Sequence, residues 1–176
     1  MIYLLNLVIL ISPQQARTIA DFNKESKLQG WYVVNDVVMG GRSSGNLSLS
    51  SKGHAVFSGK VSLENNGGFS SLRYAFDEIK TSKSSYIILK IKGDGKRYQF
   101  RLKHDSRSYY SYVYWFETSG KWEEISIPLA EMYPSFRGRT LDMPNFSHDS
   151  LEEIGLLIGN KKAEEFHLLI DRIELK

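Results

Sequence analysis

The sequence contains no cysteine, which excludes disulfide frameworks, cysteine-ligated zinc, iron–sulfur clusters and thiol nucleophiles. It also lacks a metal signature: there is no H-E-x-x-H helix pattern, no EF-hand loop and no spacing of two histidines with a carboxylate. No metal and no cofactor is expected on these grounds, a structural calcium ion held by loop carbonyls and an aspartate being the alternative left open. Proline occurs only four times, no charge run exceeds a few residues and no internal repeat is visible, so nothing after the first residues reads as a linker. Charge of one sign is missing too. The 23 basic residues are nearly balanced by 20 acidic ones and are dispersed, whereas nucleic-acid binding calls for a concentrated basic stripe.

Long apolar runs are confined to the start, MIYLLNLVILI, followed by Ser12-Pro13-Gln14-Gln15-Ala16. Eleven helical residues would reach about 16 Å, short of the ~30 Å hydrocarbon core, so no transmembrane span is expected. Residues 1–17 form an apolar N-terminal segment with two readings. One is a secretory signal ending near Ala16, without the usual basic start; the other is a buried first strand, or a start site inside a longer precursor. Export to a periplasmic or extracellular space follows from the first, a cytoplasmic or mitochondrial place from the second. Residues 18–176 read as one domain, a size at which a single core is ordinary.

What is present is aromatic and turn-forming: ten Tyr, nine Phe, three Trp and fourteen Gly among 176 residues. The dominant pattern is alternation with period two, the mark of half-buried strands. Ala55, Phe57, Gly59, Val61 and Leu63 fall on one side of such a strand, with Ser58, Lys60, Ser62 and Glu64 on the other. Ile87, Leu89 and Ile91 share a face, as do Tyr98, Phe100 and Leu102, and Gly93-Asp94-Gly95 between them predicts a hairpin over 86–103. Further strands are expected at 110–117, 122–127, 154–159 and 165–175, with single helical turns near Ser150–Ile154 and Leu129–Tyr133. This spacing predicts an all-β, mostly antiparallel sandwich or barrel.

Several short motifs invite a chemical reading. Gly41-Arg42-Ser43-Ser44-Gly45 satisfies the G-x-S-x-G pattern of nucleophile elbows, but that device needs a helix after the serine, and Asn46-Leu47-Ser48-Leu49-Ser50 alternates like a strand. None of His54, His104, His148 and His167 has an evident acid–base partner. Gly93-Asp94-Gly95-Lys96 lacks the spacing of a phosphate-binding loop. The stretch from Arg97 to Arg107 interleaves basic and aromatic residues before YYSYVYWF. It could stack bases or sugars, and it reads more simply as a strand with aromatic residues in the core and basic ones in water.

Taken in order, Trp31, Asn35-Asp36-Val37-Val38-Met39-Gly40-Gly41 with Ser43, Phe57-Ser58-Gly59, Asn66-Gly67-Gly68-Phe69 with Arg73, Lys92-Gly93-Asp94-Gly95 with Tyr98, Trp122, Ile127-Pro128, Phe136-Arg137-Gly138-Arg139, Ile154-Gly155 and Phe166 resemble the complex I intermediate-associated protein 30 family over about residues 18–176. The resemblance implies a galactose-binding-like jelly-roll β-sandwich. It also implies a chaperone-like role in assembling respiratory complex I (NADH:ubiquinone oxidoreductase), and it brings no catalytic residues with it. The long Arg-rich presequence of the mitochondrial assembly factor is not found here.

The expected function is therefore a non-catalytic protein-interaction module with no enzyme activity, whose partner is a protein such as a complex I assembly intermediate. The candidate binding surface is Asn35, Asp36, Asn65, Asn66, Arg73, Arg137 and Arg139, because polar and guanidinium groups at loop ends make charge-assisted hydrogen bonds. The alternative is a secreted or periplasmic glycan-binding module, suggested by the sandwich and by the aromatic stretch 109–116. An enzyme acting through Ser43 or Ser44 is the third reading.

Overall fold

Alternation becomes strand geometry nearly everywhere in the computed structural model, which describes residues 16–81 and 86–176. The strands are β1 (Arg17–Asp21), β2 (Trp31–Asn35), β3 (Ser44–Leu49), β4 (Ala55–Val61), β5 (Ser70–Lys80), β6 (Tyr86–Lys92), β7 (Arg97–Lys103), β8 (Ser111–Glu117), β9 (Trp122–Pro128), β10 (Tyr133–Phe136), β11 (Arg139–Thr140), β12 (Ser150–Ile158) and β13 (Glu164–Leu175). They form two sheets, each with every neighbouring pair antiparallel. One runs β3-β4-β13-β6-β9, and the other runs β11-β10-β8-β7-β12-β5-β2. The long β13 is the spine of the first: β4 pairs with its first half and β1 with its second on the same side, while β6 runs along the other.

The two sheets meet over one apolar core. Phe57, Leu89, Ile91, Ile127, Leu168 and Ile170 enter from the first sheet, and Leu72, Tyr98, Phe100, Leu102, Ile154 and Leu156 from the second. All are essentially inaccessible to solvent, so each large apolar side chain contributes about 2 kcal/mol of transfer free energy. Truncating Phe57 or Phe100 to alanine would add a cavity to that loss, at a cost of about 3–5 kcal/mol.

Two local expectations are corrected. Residues 86–103 are not a hairpin: β6 pairs with β13 and β9, while β7 pairs with β12 and β8 in the opposite sheet. Both strands turn their apolar sides to the same core, and an arch across a core does this as well as a hairpin, so alternation cannot tell them apart. The Asp94 turn is anchored accordingly, accepting hydrogen bonds from the Tyr98 hydroxyl at 3.0 Å and from the His167 backbone N–H at 2.9 Å. The second correction concerns Ser150–Ile154, which is the start of β12. A bulge between Leu151 and Glu153 puts Leu151 and Ile154 on one face, and this three-residue spacing imitates a helical turn.

The turn expected near Leu129–Tyr133 is present as a 3-10 turn at Leu129–Glu131. Two further ones, Asp36–Met39 and Glu64–Asn66, were not anticipated. Of the apolar segment 1–17, residues 1–15 lie outside the described residues; Arg17 already pairs with Leu175. Among the described residues no helix is long and apolar enough to cross a membrane.

Candidate functional site

The seven candidate residues fall in three places. Four meet at the corner where β2 and β5, at the edge of the seven-stranded sheet, lead into β3 and β4 of the other. Asp36 follows β2 directly, and its carboxylate accepts backbone N–H bonds from Ser43 (3.1 Å), Gly68 (2.6 Å) and Phe69 (3.3 Å) and a short bond from the Ser43 hydroxyl. The Ser43 oxygen in turn accepts from the Ser62 N–H at 3.0 Å. A Cβ on Gly41 or Gly67 would overlap the Asp36 carboxylate, so DVVMGGRSS and NNGGF are two halves of one enclosure. Burial alone would raise the Asp36 pKa, but the four hydrogen bonds outweigh it and hold the group below its ordinary value.

This geometry removes Ser43 from consideration as a nucleophile. It is 3% exposed and its oxygen is committed to Asp36 and Ser62. Ser44 opens β3, so the helix an elbow requires is replaced by a strand. Asn35 accepts from the Ser70 hydroxyl at 2.7 Å, and Asn65 donates to the Gly40 carbonyl at 2.9 Å. Asn65 and Asn66 both adopt positive φ, which asparagine tolerates better than most residues. The corner thus holds three loops together.

Arg137 and Arg139 lie at the opposite edge of the seven-stranded sheet, around the β10–β11 turn. Arg137 has φ +49°, and its guanidinium sits 5.2 Å from the Phe136 ring centre. They join neither the corner nor Arg73.

Arg73 is on β5, on the outward face of the seven-stranded sheet. Cross-strand register aligns it in a row Tyr32–Arg73–Gly155–Arg101–Val113–Tyr133 that crosses six strands. Beside this row, Glu153 accepts from the Tyr32 hydroxyl at 3.2 Å and faces the Lys103 ammonium at 4.0 Å. Burial, and then the Glu153 charge, push the Tyr32 hydroxyl above its ordinary pKa. Arg101 donates to Gln99 at 2.8 Å; burial first, and the neighbouring Arg73 charge second, lower its pKa to about 10, so it stays cationic at neutral pH. Arg97 lies 4.1 Å over the Trp115 ring.

Sequence reasoning placed Arg73 among the candidates but missed Tyr32, Arg101 and Glu153. A signal existed: Arg97, Gln99, Arg101 and Lys103 are the polar half of an alternating strand. They were expected to be wet, whereas Gln99, Arg101 and Lys103 are half-buried. Among the described residues no cluster of three or more His, Asp or Glu is placed to hold a metal ion.

A family model described as complex I intermediate-associated protein 30 matches residues 20–170, which includes the corner, both arms of the Tyr32–Tyr133 row and the β10–β11 turn. The chain belongs to this family. The mouse mitochondrial complex I intermediate-associated protein 30 is 27% identical over 183 aligned positions, covering 91% of this chain and 56% of the relative. The Drosophila melanogaster mitochondrial protein is 23% identical, covering 96% of this chain and 66% of its own length. The chain therefore spans between about half and two thirds of these relatives. Among solved structures, a family 11 carbohydrate-binding module from Clostridium thermocellum, in complex with a β-1,3-1,4-mixed-linked tetrasaccharide, superposes with a TM-score of 0.66 at 19% identity, over 93% of this chain and 96% of the module. An exo-β-agarase matches with a TM-score of 0.58 at 11% identity, over 91% of this chain and 24% of the agarase. At such identities these structures speak for the fold, a galactose-binding-like jelly-roll sandwich.

Proposed function

We propose that the chain is a non-catalytic protein-interaction module that associates with an assembly intermediate of respiratory complex I. The observation that carries this reading is the family match over residues 20–170, together with mitochondrial relatives named for association with complex I intermediates. The site chemistry agrees: Ser43 is spent on the fold, and the outward sheet face offers guanidinium, hydroxyl and aromatic groups suited to recognition. The test is purification of a tagged chain from its native host, followed by native electrophoresis. Co-migration with subunits of a partly built NADH:ubiquinone oxidoreductase is expected, and recovery of the chain free of every such subunit would refute the reading.

A second reading, a glycan-binding module, rests on Tyr32, Trp115 and Tyr133 lying on one outward sheet face. Fold likeness to carbohydrate-binding modules adds only architecture, because sandwiches host many functions. A glycan array with no bound member would remove it.

A further inference from the structure

We infer that the Arg73–Gly155–Arg101 row on the outward face of the seven-stranded sheet is a carboxylate-binding site that takes acidic side chains from an extended peptide segment of the protein partner. This rests on the protein-interaction reading above and names the chemistry the partner must bring.

Three observations carry it. First, the two guanidiniums are like-charged neighbours on either side of Gly155, which places no side chain between them. Among the described residues neither makes an ion pair. Folding has brought two cations together on a partly desolvated face with no carboxylate in ion-pair contact, Glu153 acting on Arg101 only from a distance, and a bound carboxylate would relieve both the repulsion and the lost hydration.

Second, guanidinium donors are left unused. A guanidinium carries five N–H groups, and Arg101 has one hydrogen-bonded side-chain partner, Gln99. None of its nitrogens is both sealed from solvent and unpartnered. Their planar fork matches a carboxylate in two-point geometry. The nearby carboxylate, Glu153, attracts Arg101 through its charge, but it accepts from Tyr32, faces Lys103 and makes no ion-pair contact with either arginine.

Third, two of the three aromatic groups that would favour a neutral sugar are already engaged, Tyr133 being the third. The Trp115 ring is covered by Arg97, and the Tyr32 hydroxyl is held by Glu153. Charge complementarity is the larger part of what the row has left to offer.

The experiment titrates the purified chain with an oligo-glutamate peptide by calorimetry, in parallel with oligogalacturonate and with a neutral mixed-linked β-glucan tetrasaccharide. Oligo-glutamate should bind, weakening as salt rises. Arg73→Gln and Arg101→Gln should each weaken it by about tenfold or more, the scale of losing one charge-assisted contact. Lys60→Gln, on the other sheet, should leave it unchanged. Circular dichroism and thermal unfolding of each variant separate lost binding from lost folding, and half-buried Arg73 provides the variant that is safest for the fold. No binding of oligo-glutamate, binding indifferent to both arginines, or tighter binding of either glycan would overturn the inference. The two readings fail separately. If the arginine variants still co-purify fully with complex I subunits, the site is wrong and the function stands; if oligo-glutamate binds through the arginines but no such subunit co-purifies, the reverse holds.

Discussion

The Asp36 corner and the Arg73–Arg101 row are both polar and partly buried, and they treat their charges in opposite ways. At the corner, one carboxylate receives four hydrogen bonds from the chain itself, so the charge is spent on holding three loops in place. On the sheet face two cations are brought side by side with no carboxylate among the described residues in ion-pair contact, Glu153 acting on Arg101 only from a distance. A charge satisfied from within supports the fold, whereas a desolvated charge left open costs stability and is available for recognition.

That contrast can be broken by substitution. The largest effect is expected for Asp36→Ala, which leaves several buried donors unpaired at once and should cost about 3–5 kcal/mol in urea unfolding. A loss below about 1 kcal/mol would show that the corner is not a structural node. Gly41→Ala comes next: its Cβ cannot coexist with the carboxylate in place, and overpacking of this kind costs about 1–3 kcal/mol. Ser43→Ala removes one hydroxyl that serves two partners and should cost about 1–2 kcal/mol, again by denaturant titration, with no change in any turnover.

Acid sharpens the same point. Because the folded-state pKa of Asp36 lies below its ordinary value of 3.8, the unfolded chain binds the proton more readily. Its contribution is therefore complete above that value and is lost as pH falls through the folded-state pKa. Asp36→Asn should flatten the stability profile below about pH 4 relative to the parent chain, and unchanged slopes would contradict the assignment.

The smallest stability effects belong to the face. Arg73→Gln and Arg101→Gln relieve like-charge repulsion and break no ion pair, so their unfolding free energies should stay within about 0.5 kcal/mol of the parent or rise slightly. A loss of 2 kcal/mol or more, on the scale of a broken buried network, would mean that the arginines support the fold as Asp36 does.

Much of the sandwich was legible in the sequence. In β4, β7 and β13 one side chain in two is apolar, and that local period survives any arrangement of the strands. The corner was half legible: DVVMGG and NNGG were visible as turn formers, but not that both wrap one carboxylate. Arg73 was named and Arg101 was not, because on its own strand Arg101 looks like any solvated residue, and only its neighbours on β12 and β8 withdraw it from water.

An all-β sandwich or barrel, and the places of β4, β6, β7, β8, β9 and β13, followed from alternation alone, because the side-chain period of a strand is a property of adjacent residues. Which sheet each strand joined was decided only by tertiary packing. So β6 and β7, consecutive in the chain, face each other across the core, and a bulge turns the start of β12 from a seeming helix into a strand. The meeting of Tyr32, Arg73, Arg101 and Glu153 was decided there too. Their juxtaposition depends on the register of β2, β5, β12 and β7, and register is set by pairing between distant segments that no local pattern encodes.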